Sequence, residues 1–115
     1  MTKPYYGIKK TITNEYYFNL KTSEGEIILY GEVFKSLEEC KQQIIFIKQY
    51  AYDYDYYHSK LTKDNKHYFY LYLNEDTLLG KSNTYNTEEA KELGIASVML
   101  YATVATIKNF SEEEE

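Results

Sequence analysis

The sequence predicts an α+β domain built from two tandem βββα repeats within one sheet. Three observations predict it. First, the chain matches itself at an offset of 51 residues: residues 5–51 laid on 56–102 without a gap give 13 identities in 47 positions. Among them are Tyr5/Tyr56, Tyr6/Tyr57, Lys9/Lys60, Asn14/Asn65, Phe18/Phe69, Leu20/Leu71, Ile44/Ile95 and Ala51/Ala102. A fixed internal period is the signature of a repeated structural unit. Second, each copy runs from alternating apolar and polar residues into apolar residues spaced by three and four. Third, Tyr supplies 15 of 115 residues while Pro occurs once and Trp not at all, a composition that favours strands.

The elements follow in order. Tyr5 to Thr11 reads as a strand, and "TITNE" turns it. From Tyr16 to Thr22, Phe18 and Leu20 share one face and Tyr17, Asn19 and Lys21 the other, which is a half-buried strand. "SEG" at 23–25 is a turn in which Gly25 supplies positive φ. Glu26 to Tyr30 is a third strand. "SLEE" at 36–39 has the form of a capping box, and Leu37, Cys40, Ile44, Ile47 and Ala51 form the core stripe of the helix behind it. In the second copy the helix starts at Thr87, Glu88 and Glu89 favour its positive end, and Ile95, Val98 and Ala102 repeat the stripe with Lys91 in the place of Cys40. The expected core is Phe18, Leu20, Ile44, Ile47, Phe69, Leu71, Ile95 and Val98.

The two copies meet in "YAYDYDYYH", 50–58. Tyr52, Asp53, Tyr54 and Asp55 alternate as a strand would, and "TVATIKNF" at 103–110 follows the second helix in the same way. Ala105 and Ile107 correspond to Tyr54 and Tyr56, which turns that parity to the core. Tyr57, however, corresponds to Tyr6, an inward position. The clash predicts a bulge or break near Tyr56–Tyr57.

The domain is expected to span 1–110, as repeats 5–55 and 56–110, with 111–115 an acidic, disordered tail. Four of the charges behind the net −5 are Glu112 to Glu115, so the body is near neutral and a broad polyanion-binding surface is not expected. The lone Cys40 cannot form an internal disulfide, which suits a cytoplasmic location. No stretch approaches the ~20 apolar residues of a membrane helix.

"YFNLKTSEGEII…EVFKSLEECKQQIIFIKQYA" and "GIASVMLYA" resemble the YegP-like family of small bacterial domains of unknown function. The likeness covers about residues 5–110 and rests on Phe18, Leu20, Lys21 and Gly25 in the first copy and on Gly94, Ile95, Ser97, Val98 and Ala102 in the second. Gln43, Asp76 and Tyr72 depart from the family pattern at a helix Gly, a turn Gly and a strand Lys. The resemblance implies one antiparallel sheet, both helices on one of its faces, and post-helix strands exchanged between the repeats. It implies no catalytic activity.

No Ser-His-Asp set, phosphate loop or carboxylate pair of catalytic form occurs, so the chain is read as non-enzymatic and without a cofactor. Asp53, Asp55, His58 and His67 match no metal-ligand spacing and read as solvated edge residues rather than a metal site. Cys40 lies on an apolar stripe and reads as a small buried hydrophobe. The candidate binding surface is the open sheet face, with Tyr68, Tyr70, Tyr72, Tyr17, Lys21 and Lys9, joined by Tyr5. Such a face suits a protein partner or self-association; single-stranded nucleic acid or a small ligand is the alternative. Its plain structural reading is cross-strand Tyr pairing. Ile45, Phe46, Leu93, Ala96 and Leu100 lie off the stripes, as a contact between the helices or an oligomer interface.

Overall fold

The computed structural model describes residues 3–112. Strands β1 (Tyr5–Lys10), β2 (Tyr16–Lys21) and β3 (Ile27–Phe34) lead into α1 (Leu37–Tyr50). A 3₁₀ turn, Tyr54–Tyr56, joins α1 to β4 (Tyr57–Leu61). Then come β5 (His67–Asn74), β6 (Thr77–Lys81), α2 (Glu88–Tyr101) and β7 (Thr106–Asn109). All strands lie in one sheet of order β4-β5-β6-β3-β2-β1-β7. The two halves meet at the antiparallel β3–β6 seam, and the order reads alike outward from it.

Repeated residues do repeated work. Thr11 and Thr62 begin the first turn of each copy, and the hydroxyl of each accepts the amide four residues on, from Glu15 and Lys66. Asn14 and Asn65 sit in those turns at φ 65°, a left-handed conformation that Asn tolerates. Gly25 has φ 91°, as its turn requires. Ser36 and Thr87 cap the helices, accepting the amides of Glu39 and Ala90. Both helices are 14 residues long and stand 51 apart.

Both helices cover the same face. Phe18, Leu20, Phe69 and Leu71 from the sheet and Ile44, Ile47, Ile95 and Val98 from the helices are buried in a single core, as the periodicity predicts. The halves interlock there. The Tyr6 hydroxyl on β1 donates to the Ala102 carbonyl at the end of α2, and Tyr57 on β4 does the same to Ala51 at the end of α1, each at 2.6 Å. The first strand of each copy therefore satisfies a carbonyl at the end of the other copy's helix.

Burial pushes both phenols far above the ordinary tyrosine range. A raised folded pKa means that this stabilisation is fully present below the unfolded value near pH 10 and is lost as the pH rises above it. Stability should therefore be flat up to about pH 9 and then fall by about 1.4 kcal/mol per pH unit for each phenol. Tyr6→Phe should cost about 1–3 kcal/mol at neutral pH and remove one phenol's share of the alkaline slope. Urea titrations at several pH values read both, and an unchanged slope would show that Tyr6 ionises freely in the fold.

Several expectations need correction. The sheet is not antiparallel throughout, because β7 runs parallel to β1, with Tyr5 opposite Thr106 and Gly7 opposite Lys108. The strand exchange occurs at that edge alone. The segment after α1 is not extended: Asp53 caps the 3₁₀ turn by accepting the Asp55 amide. The physical reason is chain length. The chain after α1 must become β4 within a few residues, so it cannot also lie beside it. The break predicted near Tyr56–Tyr57 is this turn, and Tyr57 is buried as its equivalence to Tyr6 requires. Tyr54 and Ile107, assigned to the core side, lie outside the core and are 48% and 38% exposed. Ser111, assigned to the tail, is packed, and its amide and hydroxyl both donate to the Asn109 side chain. Glu113, Glu114 and Glu115 lie outside the described residues.

Where the copies differ, the differences come in compensating sets. Gly94 stands where α1 has Gln43, because a Cβ there would come 2.4 Å from the Tyr85 hydroxyl. Gln43 instead reaches across the seam to the Leu78 carbonyl. In the first copy Ile8 and Cys40 are both buried. Their equivalents are Ser59 and Lys91, which bond to each other at 2.6 Å. The reason lies in the edges. β7 covers β1, whereas β4 is an open edge, and a polar pair tolerates water that an apolar pair would not.

Candidate functional site

The face opposite the helices is built by strand alternation. Phe69 and Leu71 point to the core, so Tyr68, Tyr70 and Tyr72 point away from it. These tyrosines are half-buried by one another: ring centroids are 5.5 Å apart for Tyr68–Tyr70 and 5.6 Å for Tyr70–Tyr72, and His58 adds to Tyr72 at 5.3 Å. The rings stand edge-on or tilted rather than flat. Lys81 lies over the Tyr68 and Tyr70 rings at 5.3 and 5.9 Å.

The strand register extends this surface into a continuous row across the sheet. His58 faces Tyr70, Tyr70 faces Lys81, and Lys81 faces Tyr30. Tyr30 faces Asn19, Asn19 faces Gly7, and Gly7 faces Lys108. No carboxylate interrupts it. Lys9 and Lys21 flank the row on β1 and β2, with Lys9 opposite Tyr17 and Lys21 opposite Tyr5. Lys60 flanks it on β4, opposite Tyr68. Among the described residues, Lys91–Glu92 is the ion pair present, so Lys9, Lys21, Lys60, Lys81 and Lys108 face solvent without a carboxylate at salt-bridge distance. The near-neutral total charge of the body conceals this segregation.

All six residues expected to form the site lie on this face, in two groups. Tyr68, Tyr70 and Tyr72 are on β5; Lys9, Tyr17 and Lys21 are on β1 and β2. Two strands, β6 and β3, separate the groups, or about 14 Å at the usual strand spacing. Tyr30, Lys81, Lys108 and Phe110 are additions that the sequence reading missed. Alternation does not reveal Tyr30 and Lys81, because irregularities in the β2–β3 and β5–β6 registers shift the parity. Tyr5 marks the far end of the face, its ring edge-on to Phe110 at 6.2 Å.

The helix side offers less chemistry. Burial raises the Cys40 thiol to about 11, so it stays protonated and inert at neutral pH. The Ser59–Lys91 pair has the composition of a nucleophile and its base. The Lys91 ammonium also donates to the Glu92 carboxylate at 2.6 Å, so it is shared between the two side chains. Glu92 in turn is held below the usual carboxylate range, chiefly by Lys91, and it raises the Tyr54 phenol that donates to it. Among the described residues no group of three His, Cys, Asp or Glu is placed to hold a metal. Asp53 caps the 3₁₀ turn, and His58 and His67 pair with different residues of neighbouring strands. Leu93 and Leu100 on α2 are exposed, so they do not fill a contact between the helices. No helix among the described residues is long and apolar enough to cross a membrane.

Comparison with known proteins agrees with this architecture. A family model described as a domain of unknown function (DUF1508) matches residues 13–57 and again 62–109, so its unit contains the second and third strands, the helix and the segment after it. The chain is 33% identical over 111 residues to the UPF0339 protein YegP of Yersinia pestis, covering 96% of this chain and 99% of that one. It is 30% identical over 105 residues to YegP of Escherichia coli K12, covering 91% and 96%. The solution NMR structure of E. coli YegP, titled a protein of unknown function, superposes with a TM-score of 0.90 at 27% identity, over 99% of this chain and 98% of that one. A UPF0339 protein of Shewanella oneidensis, also solved by solution NMR, gives a TM-score of 0.90 at 26% identity, over 98% and 96%. With its doubled family match, its relatives along nearly the whole chain and its shared fold, the chain belongs to the YegP-like family of tandem DUF1508 domains, whose function is unknown.

Proposed function

We propose that this domain is a non-enzymatic interaction module of the cytoplasm whose open sheet face binds an acidic segment of a partner protein. The observation that carries the reading is the cross-sheet row from His58 through Tyr70, Lys81, Tyr30, Asn19 and Gly7 to Lys108, which holds no carboxylate and is flanked by Lys9, Lys21 and Lys60, none of them in an ion pair with another described residue. Tyr is enriched at protein interfaces because it offers large area at low entropic cost. Charge complementarity then selects the partner. Two competing occupants fit less well. Bases need open ring faces on which to stack, and Lys81 sits over those of Tyr68 and Tyr70. A second copy docking face to face would oppose lysine to lysine. The lone buried Cys40, with no disulfide to maintain, suits the reducing cytoplasm.

The test compares a fluorescent deca-glutamate peptide with an oligothymidylate of equal length. The expected result is that the peptide binds more tightly and is released by salt. Tyr70→Ser/Tyr72→Ser with Lys81→Gln should weaken it about tenfold, the equivalent of one or two lost charged contacts, while the melting temperature shifts little. By contrast, Tyr54→Ser/Tyr56→Ser should lower the melting temperature and spare binding. Tighter binding of the oligothymidylate, or peptide binding indifferent to the triple variant, overturns the reading.

A further inference from the structure

The β1–β7 end of the open face is a cleft as well as a surface. It encloses about 600 Å³ and is lined by Tyr5, Lys9, Lys10, Thr11, Lys21, Phe110 and Ser111. Tyr5 and Phe110 form its aromatic wall, and the same two rings lie over Gly7, where a Cβ would meet them at 3.3 and 3.4 Å. Lys108 adds a further ammonium, 4.5 Å from the Tyr5 ring centroid, and Lys21 lies 6.0 Å from it. Two hydroxyls in the lining are already engaged: Thr11 accepts the Glu15 amide, and Ser111 donates to Asn109. Among the described residues, Glu15 accepts from Thr13 and Glu112 is exposed, and neither forms an ion pair with these lysines. Lys9 and Lys21 thus line the cleft with Lys108 beside it, whereas the Lys10 ammonium turns to the other side of β1 and lies 5.5 Å from the Tyr16 ring centroid.

The second repeat supplies an internal comparison. The equivalent place in the sheet is a smaller cleft of about 320 Å³, lined by Tyr56, His58, Tyr72, Leu73, Asn74 and Glu75. There Tyr72 stands for Lys21, while Lys60 repeats Lys9 on the neighbouring strand and Glu75, which repeats Glu24, lines the wall. The backbone plan is repeated and the charge only in part.

We infer that the Tyr5–Phe110 cleft is a binding site for a phosphate monoester carried on a planar ring. The phosphoryl group sits among Lys9, Lys21 and Lys108, and the ring lies against Phe110. Lysine suits this task as a non-directional point charge, and the chain contains no arginine to impose a planar fork. Three ammonium groups favour a dianion over the single charge of a carboxylate. The cleft shares Lys9, Lys21 and Lys108 with the surface proposed to bind an acidic segment but lies at the opposite end of the row from the β5 tyrosines, so substitutions there separate the two.

The experiment is an amide-resolved NMR titration of the full chain with phenyl phosphate, inorganic phosphate and benzoate. Saturable shifts centred on Gly7, Lys21 and Lys108 are expected, with phenyl phosphate bound most tightly. Lys9→Gln/Lys21→Gln should weaken phenyl phosphate about tenfold, and Phe110→Ser should abolish its advantage over inorganic phosphate. Tyr70→Ser/Tyr72→Ser should change nothing, which separates this site from the β5 surface. Adenosine 5′-monophosphate and a phosphotyrosine tripeptide then distinguish a free nucleotide from a modified protein as the carrier. Benzoate binding as tightly as phenyl phosphate, equal shifts at the Tyr56–Tyr72 cleft, or shifts that never saturate would overturn the assignment.

Discussion

Replacing Phe18 with Ala lowers the unfolding free energy by about 3–5 kcal/mol, or about 12–20 °C in melting temperature at roughly 4 °C per kcal/mol. Phe18 is fully buried on β2, edge-on to Tyr6 at 6.0 Å. Its ring also fills the space over Gly31, where a Cβ would lie 2.4 Å from ring carbons. The surrounding strands are hydrogen-bonded on both sides, so the site cannot collapse onto the space the ring leaves. Gly31 provides a second reading of the same contact. Gly31→Ala should destabilise the native protein by forcing the ring aside, yet cost little once Phe18 is Ala. A double-mutant cycle by urea unfolding measures that coupling. Additive effects would mean that the ring does not pack on Gly31.

Ile44→Ala is the second large loss, at about 2–5 kcal/mol. Ile44 is fully buried at the centre of the α1 stripe. Its chain neighbour Ile45 is the control: it points outward and is 43% exposed, so Ile45→Ala should stay within about 0.5 kcal/mol of the parent. The two substitutions remove the same atoms from adjacent residues of one helix, so helix propensity cancels and burial alone differs. Equal midpoints for the two variants in urea would refute the orientation of the helix.

What could be read from the sequence depended on how local each signal was. Phe18 and Leu20 alternate with Tyr17 and Asn19, and Ile44, Ile47 and Ala51 recur at helical spacing, so single segments disclosed their buried sides. The repeat carried each reading to its partner 51 residues away. The Tyr-Asp alternation of 52–55 misled, because period two in short polar residues also suits a turn in which Asp53 bonds the backbone. The direction of β7 was not legible, since nothing in "TIKN" specifies a parallel partner at the far end of the chain. The candidate site was half visible. Tyr68, Tyr70 and Tyr72 follow from alternation, whereas Lys81 and Tyr30 complete the row across register irregularities that sequence does not report. The lysine cleft needed β7 in place before Phe110 could face Tyr5.

The parallel pairing of β1 with β7 also determines how the molecule carries load. A force drawing Tyr5 and Asn109 apart along the strands pulls β1 and β7 in opposite directions past each other. Their ladder is then loaded in shear, with every bond of the pair sharing the force at once. Antiparallel neighbours held at the same open end would instead peel away from each other bond by bond. The α2 cap is tied into the same junction, since the Tyr6 hydroxyl grips the Ala102 carbonyl beside it, and Lys48 of α1 holds the Thr103 and Ala105 carbonyls that lead into β7. Tension between these two strands therefore meets the chain as a clamp rather than as a zipper.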